Sequence, residues 1–283
     1  MIKKVIIPAA GVGTRLLPTT KELPKEMLPL FFKGKDDEVC LKPMLQAIFE
    51  QLYGEGFREF GFIVGRGKRA IEDHFTTGYG FVEYLKKKKT NLAGKLQEFH
   101  NKVNVSTIVF INQPEPKGFG DAVYTAKAFT QKEPFLVHAG DNFVISEGNR
   151  HLKKMVRIFE DYEADAVFLV EEVEDPRGYG VMAGNEIDPC VFEVEAVIEK
   201  PKEPPSSLAI IAIYVFKPTI YEAIRKVKPD ESGEIQLTDA IQLLLNWHRD
   251  IYALKLKPDE RRIDIGLPET YLETIRGTLQ YPF

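Results

Sequence analysis

The sequence has 283 residues, 44% hydrophobic and 28% charged, which allows one large α/β domain or two modest ones and excludes a disordered chain. Its 38 Lys and Arg against 42 Asp and Glu give a net charge of -4. This balance excludes a global basic field that would collect nucleic acid, so any phosphate chemistry must be local.

The first part of the chain alternates strands and helices. The strand-like runs "KVIIPA" and "REFGFIVG" are followed by the helix-period stretches "KPMLQAIFEQLYGEG" and "GKRAIEDHF". Next come the strand "KVNVSTIVFIN", the helix "GFGDAVYTAKAFT" and the buried strand "PFLVHAG", which ends at Asp141. A helix over 149–162 and the strand "ADAVFLVEEV" continue the pattern. Repeated βα units predict a mostly parallel sheet with helices on both faces.

The pattern changes after residue 175. "GYGVMAG", "CVFEVEAVIEKP" and "SLAIIAIYVFKP" predict strands joined by turns, with no long helix for parallel crossovers, and so an antiparallel part that covers the substrate. Helices are predicted near 218–226, 235–247 and 268–278, with the strand "IYALKL" before the last. The lysine run at 86–89 is expected in a solvated loop or at a helix end.

A glycine-rich loop follows the first strand, within "VIIPAAGVGTRLLPTTKELPKEMLPL" at residues 5–30. Glycines in this position let backbone N–H groups approach a phosphate closely. However, Leu16 occupies the last glycine position of the dinucleotide pattern G-x-G-x-x-G, and the P-loop pattern G-x-x-x-x-G-K-[ST] is absent. A dinucleotide oxidoreductase is therefore the least favoured alternative.

What remains, G-x-G-T-R followed by P-K-E-M-L-P, resembles the sugar-1-phosphate nucleotidylyltransferases. Six further segments agree in order: "QPEPKGFGDAV", "AGDN", "YGV", "VIEKPKEPPSSLAI", "GEIQLTDAI" and "IDIG". The resemblance implies a Rossmann-like three-layer α/β/α fold with a mostly parallel, mixed central sheet and a small antiparallel sugar-binding part. It also implies a single domain over 1–283, in which 1–145 mainly bind the nucleotide and 146–283 mainly form the sugar-binding and C-terminal helical part.

Within that family the likeness is greatest to members that join UTP to glucose-1-phosphate and give UDP-glucose and pyrophosphate. The resemblance implies Mg²⁺ as cofactor and in-line attack on the α-phosphate, with catalysis mostly by charge neutralisation and positioning. A thymidylyltransferase that uses dTTP stays open, because one methyl group is worth only about 1–3 kcal/mol of discrimination. A non-catalytic nucleotide-sugar-binding regulator of the same fold is the other alternative. We expect no nucleic-acid or membrane partner and, by analogy, a homodimer or homotetramer.

The resemblance also assigns the nucleotide-binding residues. Arg15 and Lys25 would be catalytic: Arg15 would bind the departing phosphates, because its planar fork matches phosphate oxygens, and Lys25 would lie nearer the α-phosphate. Gln113 would offer a donor and an acceptor to the pyrimidine edge. Glu26 would lie near the base, with a structural ion pair as the equal alternative. Backbone groups of the loop and the opposite wall complete the set: Ala9, Ala10, Gly11, Gly13, Thr14 and Gly118.

Two aspartates are the expected magnesium ligands, and Asp141 is also counted as catalytic. Asp141 ends an apolar strand, and ligands of open α/β sheets bind at such carboxyl ends. Asp264 is the second ligand by resemblance, and carboxylate oxygens suit Mg²⁺. A helix N-cap is the alternative role of Asp264.

The sugar site is expected at Gly180, Glu199 and Lys200. The resemblance gives the Glu199 carboxylate the glucose hydroxyls and gives Lys200, as a catalytic residue, the sugar phosphate. Because neighbours on a strand point to opposite faces, we expect an irregular backbone there. Glu234 and Asp239 are expected at the sugar or at a partner subunit, and helix capping by Ser232 or Thr238 is the alternative explanation for part of this pattern.

Three features depart from the family pattern. Asp121 stands where bacterial members usually have His, and its expected role is only a favourable charge at a helix start. Ala212 and Ile213 replace Gly and Arg, a change expected to affect the sugar pocket or an oligomer contact. Residues 33–41, "KGKDDEVCL", look like an insertion.

The remaining features point to an ordinary cytoplasmic protein. Cys40 and Cys190 are too few for a disulfide framework and are expected to be free thiols. The first apolar run breaks at Pro8, short of a signal-peptide core, and no window approaches the roughly 18 consecutive apolar residues of a membrane helix. His138 is expected to be structural, because transfer to an ionised phosphate needs no general base.

Overall fold

The computed structural model describes residues 2–33, 38–88 and 92–278, so residues 34–37 of the predicted insertion and Lys89 of the lysine run lie outside the described residues. The helices and strands, in chain order, are β1 (Lys4–Pro8), β2 (Pro29–Lys33), β3 (Val39–Pro43), α1 (Met44–Gly54), β4 (Glu59–Val64), α2 (Arg69–His74), α3 (Tyr79–Lys87), α4 (Leu92–Asn104), β5 (Thr107–Asn112), α5 (Phe119–Thr125), α6 (Lys127–Thr130), β6 (Phe135–His138), β7 (Asn142–Ile145), α7 (Arg150–Asp161), β8 (Ala166–Glu172), β9 (Gly180–Asp188), β10 (Val191–Glu199), β11 (Leu208–Phe216), α8 (Ile220–Lys226), α9 (Leu237–Asn246), β12 (Ile251–Lys255), β13 (Arg261–Asp264) and α10 (Pro268–Thr278).

The described residues form a nine-stranded mixed sheet in the order β5-β4-β1-β6-β11-β8-β12-β10-β9. Strands β5, β4, β1 and β6 are parallel neighbours, and so are β8 and β12. Strand β11 lies antiparallel between β6 and β8, and β9 and β10 form an antiparallel hairpin at one end. The expected α/β fold with a mixed sheet is confirmed, with the antiparallel strands inside the central sheet.

The position of β11 follows from its composition. Ile211, Ile213 and Val215 pack into the core on one face of the sheet, whereas Tyr214 and Phe216 pack into the core on the other. A continuous apolar run is typical of a strand that is buried on both faces. The run "LAIIAIYVF" therefore belongs at the centre of the sheet.

Helices cover both faces of the sheet. Helices α1, α2, α4 and α7 share a core cluster with Val5 and Ile7 of β1, whereas α5, α8 and α9 share a second cluster with Ile6. In α9 the buried positions Leu237, Ala240, Ile241 and Leu244 recur at the three-and-four spacing of an amphipathic helix. These contacts produce the expected three layers.

Several elements were not predicted from the sequence. Two short two-stranded antiparallel sheets lie outside the central sheet: β2 pairs with its chain neighbour β3, and β7 pairs with the distant strand β13. Helices α3 and α4 fill the region before β5. The strand predicted over 102–112 is present but begins only at Thr107, because Phe99 and Val103 pack four residues apart in the core and α4 continues to Asn104.

Other features agree with the sequence. Lys86 and Lys87 lie in the last turn of α3, as a helix end predicts. Cys40 and Cys190 are free, half-buried thiols. Among the described residues, no helix combines the length and the hydropathy needed to cross a membrane.

Candidate active site

Most of the predicted nucleotide residues line one cavity. It has a volume of about 360 Å³ and lies where β1, β5 and β6 end, as expected for the carboxyl ends of parallel strands. The predicted residues in its wall are Ala10, Gly11, Gly13, Thr14, Lys25, Glu26, Gln113, Gly118 and Asp141. Residues that the sequence did not assign to the nucleotide complete the wall: Pro8, Val12, Pro116, Phe119, Ala122 and Glu234.

The glycine-rich loop is held in a turn over the end of β1. Gly13 has a left-handed backbone with φ of 72°, and the Thr20 hydroxyl donates a 2.6 Å hydrogen bond to the Gly13 carbonyl. A Cβ atom at Gly13 would lie 3.2 Å from Thr20 Cβ. Glycine is therefore required there both by the backbone conformation and by the contact with Thr20.

Two predicted nucleotide residues lie outside the cavity wall. Ala9 is buried and its N–H donates to the Ile63 carbonyl at 2.8 Å, which extends the pairing of β1 with β4. Arg15 lies in a 3-10 turn over Thr14–Leu16 and is exposed, whereas Leu16 is buried beside it. Arg15 thus lies at the rim of the loop on a turn that is anchored by its neighbour.

Lys25 and Asp141 form an ion pair at the cavity. Burial lowers the pKa of Lys25, but the charges of Asp141 and Glu26 more than compensate and the net shift of this pKa is upward. Burial raises the pKa of Asp141, and the stronger opposing effect of Lys25 and the Asn142 amide lowers it. Both side chains are therefore charged.

Glu26 forms the structural ion pair that the sequence left as an alternative. It is 1% exposed and accepts a 2.9 Å hydrogen bond from Lys68, which is 6% exposed. Burial raises the pKa of Glu26 although Lys68 and Lys25 oppose that shift. Glu26 is thus held in the cavity wall by a buried partner, Lys68, which sequence reasoning missed.

Gln113 lies at the end of β5 and is 4% exposed. Its Nε2 donates to Asp121 Oδ2 at 2.7 Å and to the Gly118 carbonyl at 3.3 Å. Asp121, in the first turn of α5, therefore does more than favour a helix start, which corrects the expectation from the sequence.

The loop around Gly118 is locked by the segment before α9. Ile235 N–H donates to the Lys117 carbonyl at 2.8 Å, and Gly120 N–H donates to the Ile235 carbonyl at 2.9 Å. Gly118 has φ of 96°, and a Cβ there would lie 2.8 Å from the Ile235 backbone nitrogen and oxygen. The glycine is thus needed for close backbone packing, which also brings Glu234 to the cavity.

Asp264 reaches the same region through the pairing of β7 with β13. Asp264 lies opposite Asn142, and Ile265 N–H donates to the Asp141 carbonyl at 3.3 Å. Asp264 Oδ1 accepts a hydrogen bond from Gly266 N–H at 2.6 Å, and Oδ2 lies 3.2 Å from Arg262 Nη1. These partners precede α10, so the observed hydrogen bonds do not cap that helix.

The two aspartates fit the donor set of a magnesium site. Asp141 and Asp264 are carboxylates on adjoining backbone segments, and each is paired with a cation, Lys25 or Arg262. Over the described ranges, no group of three or more His, Cys, Asp or Glu side chains could enclose a metal. Mg²⁺ usually keeps several waters and binds through one or two carboxylates together with phosphate oxygens of the substrate. A pair of carboxylates therefore suits Mg²⁺, because it leaves coordination positions for those oxygens.

The predicted sugar residues form a second group, outside the cavity wall. Lys200 has φ of 42°, which confirms the expected irregular backbone after β10, and its Nζ lies 3.1 Å from Glu199 Oε1. Glu199 Oε2 accepts a 2.8 Å hydrogen bond from the Thr238 hydroxyl. A Cβ at Gly180 would lie 2.9 Å from that hydroxyl, so Gly180 makes room for these side chains.

Arg262 connects the two groups. Its guanidinium pairs with Glu171 and Asp264, and Nη2 lies 3.4 Å from the Tyr179 hydroxyl. The Tyr179 carbonyl in turn accepts from Lys200 N–H at 2.9 Å. Sequence reasoning did not identify Arg262, although it stands two residues before Asp264.

Two other predictions concern buried residues. Ile213 is fully buried in the core, so it does not form a sugar pocket or an oligomer contact as the sequence suggested. Ala212 lies at a register irregularity of β11, where its carbonyl accepts from Ala139 N–H at 2.9 Å. His138 is fully buried, and burial lowers its pKa to about 4, which agrees with a neutral structural histidine.

Comparisons with known proteins identify relatives over nearly the whole chain. The model of the nucleotidyl transferase family matches residues 4–280. The UTP–glucose-1-phosphate uridylyltransferase of Pseudomonas aeruginosa is 38% identical over 278 residues, which cover 96% of this chain and 94% of that protein. The enzyme of the same name from Streptococcus pneumoniae is 36% identical over 290 residues, which cover 99% of this chain and 92% of that protein.

Solved structures give the same assignment. A UDP-glucose pyrophosphorylase in complex with UDP-glucose is 34% identical, with a TM-score of 0.85 and 99% of each chain covered. A UTP-bound enzyme of this type from Acinetobacter baumannii is 27% identical, with a TM-score of 0.85, and the match covers 100% of this chain and 95% of that one. The chain therefore belongs to the nucleotidyl transferase family, among the UTP–glucose-1-phosphate uridylyltransferases.

Proposed function

We propose that this enzyme transfers the uridylyl group of UTP to glucose-1-phosphate and releases UDP-glucose and pyrophosphate. The observation that carries the proposal is the meeting of the glycine-rich loop, Lys25, Gln113 and Asp141 in one cavity at the carboxyl ends of parallel strands. The names of the relatives and the UTP and UDP-glucose complexes of the similar structures support the choice of substrates.

The uracil base is proposed to bind between the glycine-rich loop and Gly118. Ala10 and Gly11 offer backbone groups in the cavity wall, and Gln113 offers a side-chain amide. Ala9 supports this wall from the sheet, because its N–H is already bonded to Ile63. The loop at Gly13 and Thr14 then leads around the triphosphate.

The proposed catalysis is charge neutralisation around two anionic substrates. An oxygen of the sugar phosphate attacks the α-phosphorus in line, and the bond to the pyrophosphate oxygen breaks. Lys25 stabilises the charge at the α-phosphate, and Arg15 binds the departing phosphates through its fork of donors. Asp141 and Asp264 would hold Mg²⁺, which when bound supplies positive charge to the phosphate oxygens.

The sugar phosphate is proposed to bind beside Lys200 and the glucose hydroxyls beside Glu199 and Gly180. In this proposal, residues 1–145 mainly bind the nucleotide and residues 146–283 mainly bind the sugar, within one domain. Asp264 is the exception, because it would bind Mg²⁺ beside the nucleotide phosphates. The contacts that hold Glu199, through Thr238 and Lys200, support a preformed sugar site. A homodimer or homotetramer is part of the proposal and can be measured by light scattering.

Incubation of the purified protein with UTP, glucose-1-phosphate and Mg²⁺ is expected to release pyrophosphate and UDP-glucose in equal amounts. Competition of UTP with dTTP at equal concentration measures the preference between uracil and thymine. Absence of pyrophosphate release with every nucleoside triphosphate would refute the proposal. Binding of UDP-glucose without any turnover would favour the regulator of the same fold instead.

A further inference from the structure

The amide of Gln113 has both of its N–H groups engaged on the protein side of the cavity. Nε2 donates to Asp121 Oδ2 at 2.7 Å and to the Gly118 carbonyl at 3.3 Å. A carbonyl oxygen and a carboxylate oxygen only accept hydrogen bonds. If the amide were reversed, its oxygen would face two acceptors and both hydrogen bonds would be lost.

The two acceptors are themselves held in place. Gly118 is closely packed, because the Ile235 backbone lies against it at a distance that excludes even a Cβ atom. Asp121 stands in the first turn of α5, whose next residues, Ala122 and Val123, are buried in the core. Within the described residues, the Asp121 carboxylate accepts its side-chain hydrogen bond from Gln113 Nε2. The direction of the Gln113 amide is therefore set before a ligand binds.

This direction leaves Oε1 as the polar atom of Gln113 that meets a ligand in the cavity. Uracil carries an N3–H donor between two carbonyl groups on its pairing edge, whereas cytosine carries an unprotonated N3 at the same place. Gln113 Oε1 can accept a hydrogen bond from the N3–H of uracil. With cytosine, Oε1 would face the lone pair of N3, and two acceptors cannot hydrogen-bond to each other. A ligand that leaves a buried polar group of the site without a hydrogen-bond partner binds less tightly, so this site disfavours cytosine.

We infer that Asp121 is a positioning residue for base selection: it fixes the Gln113 amide so that its oxygen accepts from the N3–H of an imide base and disfavours cytosine. This inference rests on the proposed function for the presence of a pyrimidine nucleotide in the cavity. Asp121 acts through Gln113 and needs no contact with the nucleotide. The same arrangement accepts thymine, which has the same N3–H.

The test compares UTP with CTP in kcat/KM at fixed glucose-1-phosphate. Asp121→Leu removes the acceptor with little change in size, and we expect the ratio of UTP to CTP to fall by about tenfold or more. Asp121→Asn still offers an acceptor oxygen, so it should stay closer to the wild type. Glu115→Leu is the matched control, because Glu115 is an exposed carboxylate of the same loop that pairs with Lys117.

The ratio is independent of how much protein is folded, so a partly unfolded variant still gives a valid value. If Asp121→Leu gives no active protein, Asp121→Ala replaces it in the same comparison. An unchanged ratio in the Asp121 variant, or the same fall in the Glu115 control, would overturn the inference.

A second readout separates this inference from the proposed reaction. Calorimetric titration with UMP and with CMP measures base preference without turnover. If the wild type makes no UDP-glucose but prefers UMP, and Asp121→Leu abolishes that preference, the inference stands while the proposed reaction fails. Equal binding of UMP and CMP by the wild type would overturn the inference whatever the enzyme catalyses.

Discussion

Replacing Lys68 by Met tests the energetics of the buried ion pair between Lys68 and Glu26. Lys68 and Glu26 are 6% and 1% exposed and their charged atoms lie 2.9 Å apart, so water screens them little. Removing one partner of such a pair leaves a buried charge and costs about 3–5 kcal/mol, against about 0–1 kcal/mol for an exposed pair. We therefore expect Lys68→Met to lower the free energy of unfolding by the larger amount.

Urea unfolding followed by circular dichroism measures the loss. With a slope of about 3 kcal/mol per molar urea, Lys68→Met should lower the midpoint by about 1 M or more. The control is Lys86→Met, because Lys86 pairs with Glu83 while both side chains are more than half exposed. That control should leave the urea midpoint close to that of the wild type, because solvent screens an exposed pair.

The loss of stability in Lys68→Met should also depend on pH, and the titration of Glu26 sets the direction of that dependence. Burial already raises the pKa of Glu26 against the opposing effect of Lys68, and loss of Lys68 raises it further. A carboxyl group whose folded pKa is raised destabilises the folded state as the pH rises from its unfolded pKa towards its folded pKa. The deficit of Lys68→Met relative to the wild type should thus grow as the pH rises above the unfolded pKa of Glu26 and level off once Glu26 is ionised in the folded variant.

Three results would refute this reasoning. They are a midpoint shift no larger than that of Lys86→Met, a deficit that does not grow with pH, and no recovery in the double variant Glu26→Gln/Lys68→Met. Recovery is expected in the double variant, because it carries neither a buried carboxylate nor an unpaired ammonium group.

Three further predictions address the site. Asp141→Asn should abolish Mg²⁺-supported turnover in the pyrophosphate assay; an unchanged kcat would remove Asp141 from its proposed role. Thr238→Val removes the donor to Glu199 and should raise KM for glucose-1-phosphate by about tenfold, since one hydrogen bond to a charged group is worth about 1.5–3 kcal/mol; an equal rise of KM for UTP would contradict a sugar-specific role. Gly118→Ala should lose at least about 1–3 kcal/mol of stability in urea, because the new Cβ would lie 2.8 Å from the Ile235 backbone and φ is positive; a wild-type midpoint would contradict that account.

The sequence predicted the elements that have a strong local pattern. Alternating apolar runs identified most strands of the central sheet, and the glycine loop and Asp141 were recognised because both stand directly after such strands. The pairing of β7 with β13 was not predicted, because each strand has four residues and its partner is distant in the chain. Short strands of this kind have no periodicity of their own to detect.

The site was predictable as a set of residues but not as a set of contacts. The sequence placed Gln113 at the base and Asp121 at a helix start. Their hydrogen bond depends on the turn at Gly118, which the sequence does not specify. Lys68 stands in the stretch "GKRAIEDHF", where nothing distinguishes it from a surface lysine. Its burial results from the packing of that segment over Glu26, 42 residues earlier in the chain.

The pairing of β7 with β13 makes completion of the site a late event in synthesis. Arg262 and Asn142, which this pairing joins, are 120 residues apart, so the contact has a high sequence separation and a large loop-closure cost. A nascent chain that ends between Ile235 and Asp264 already contains every residue of the cavity wall but lacks the end of the strand that carries Asp264. Under the proposed function, folding intermediates should therefore bind nucleotide before they gain Asp264, the proposed second magnesium ligand, and turnover should begin only when β13 has docked.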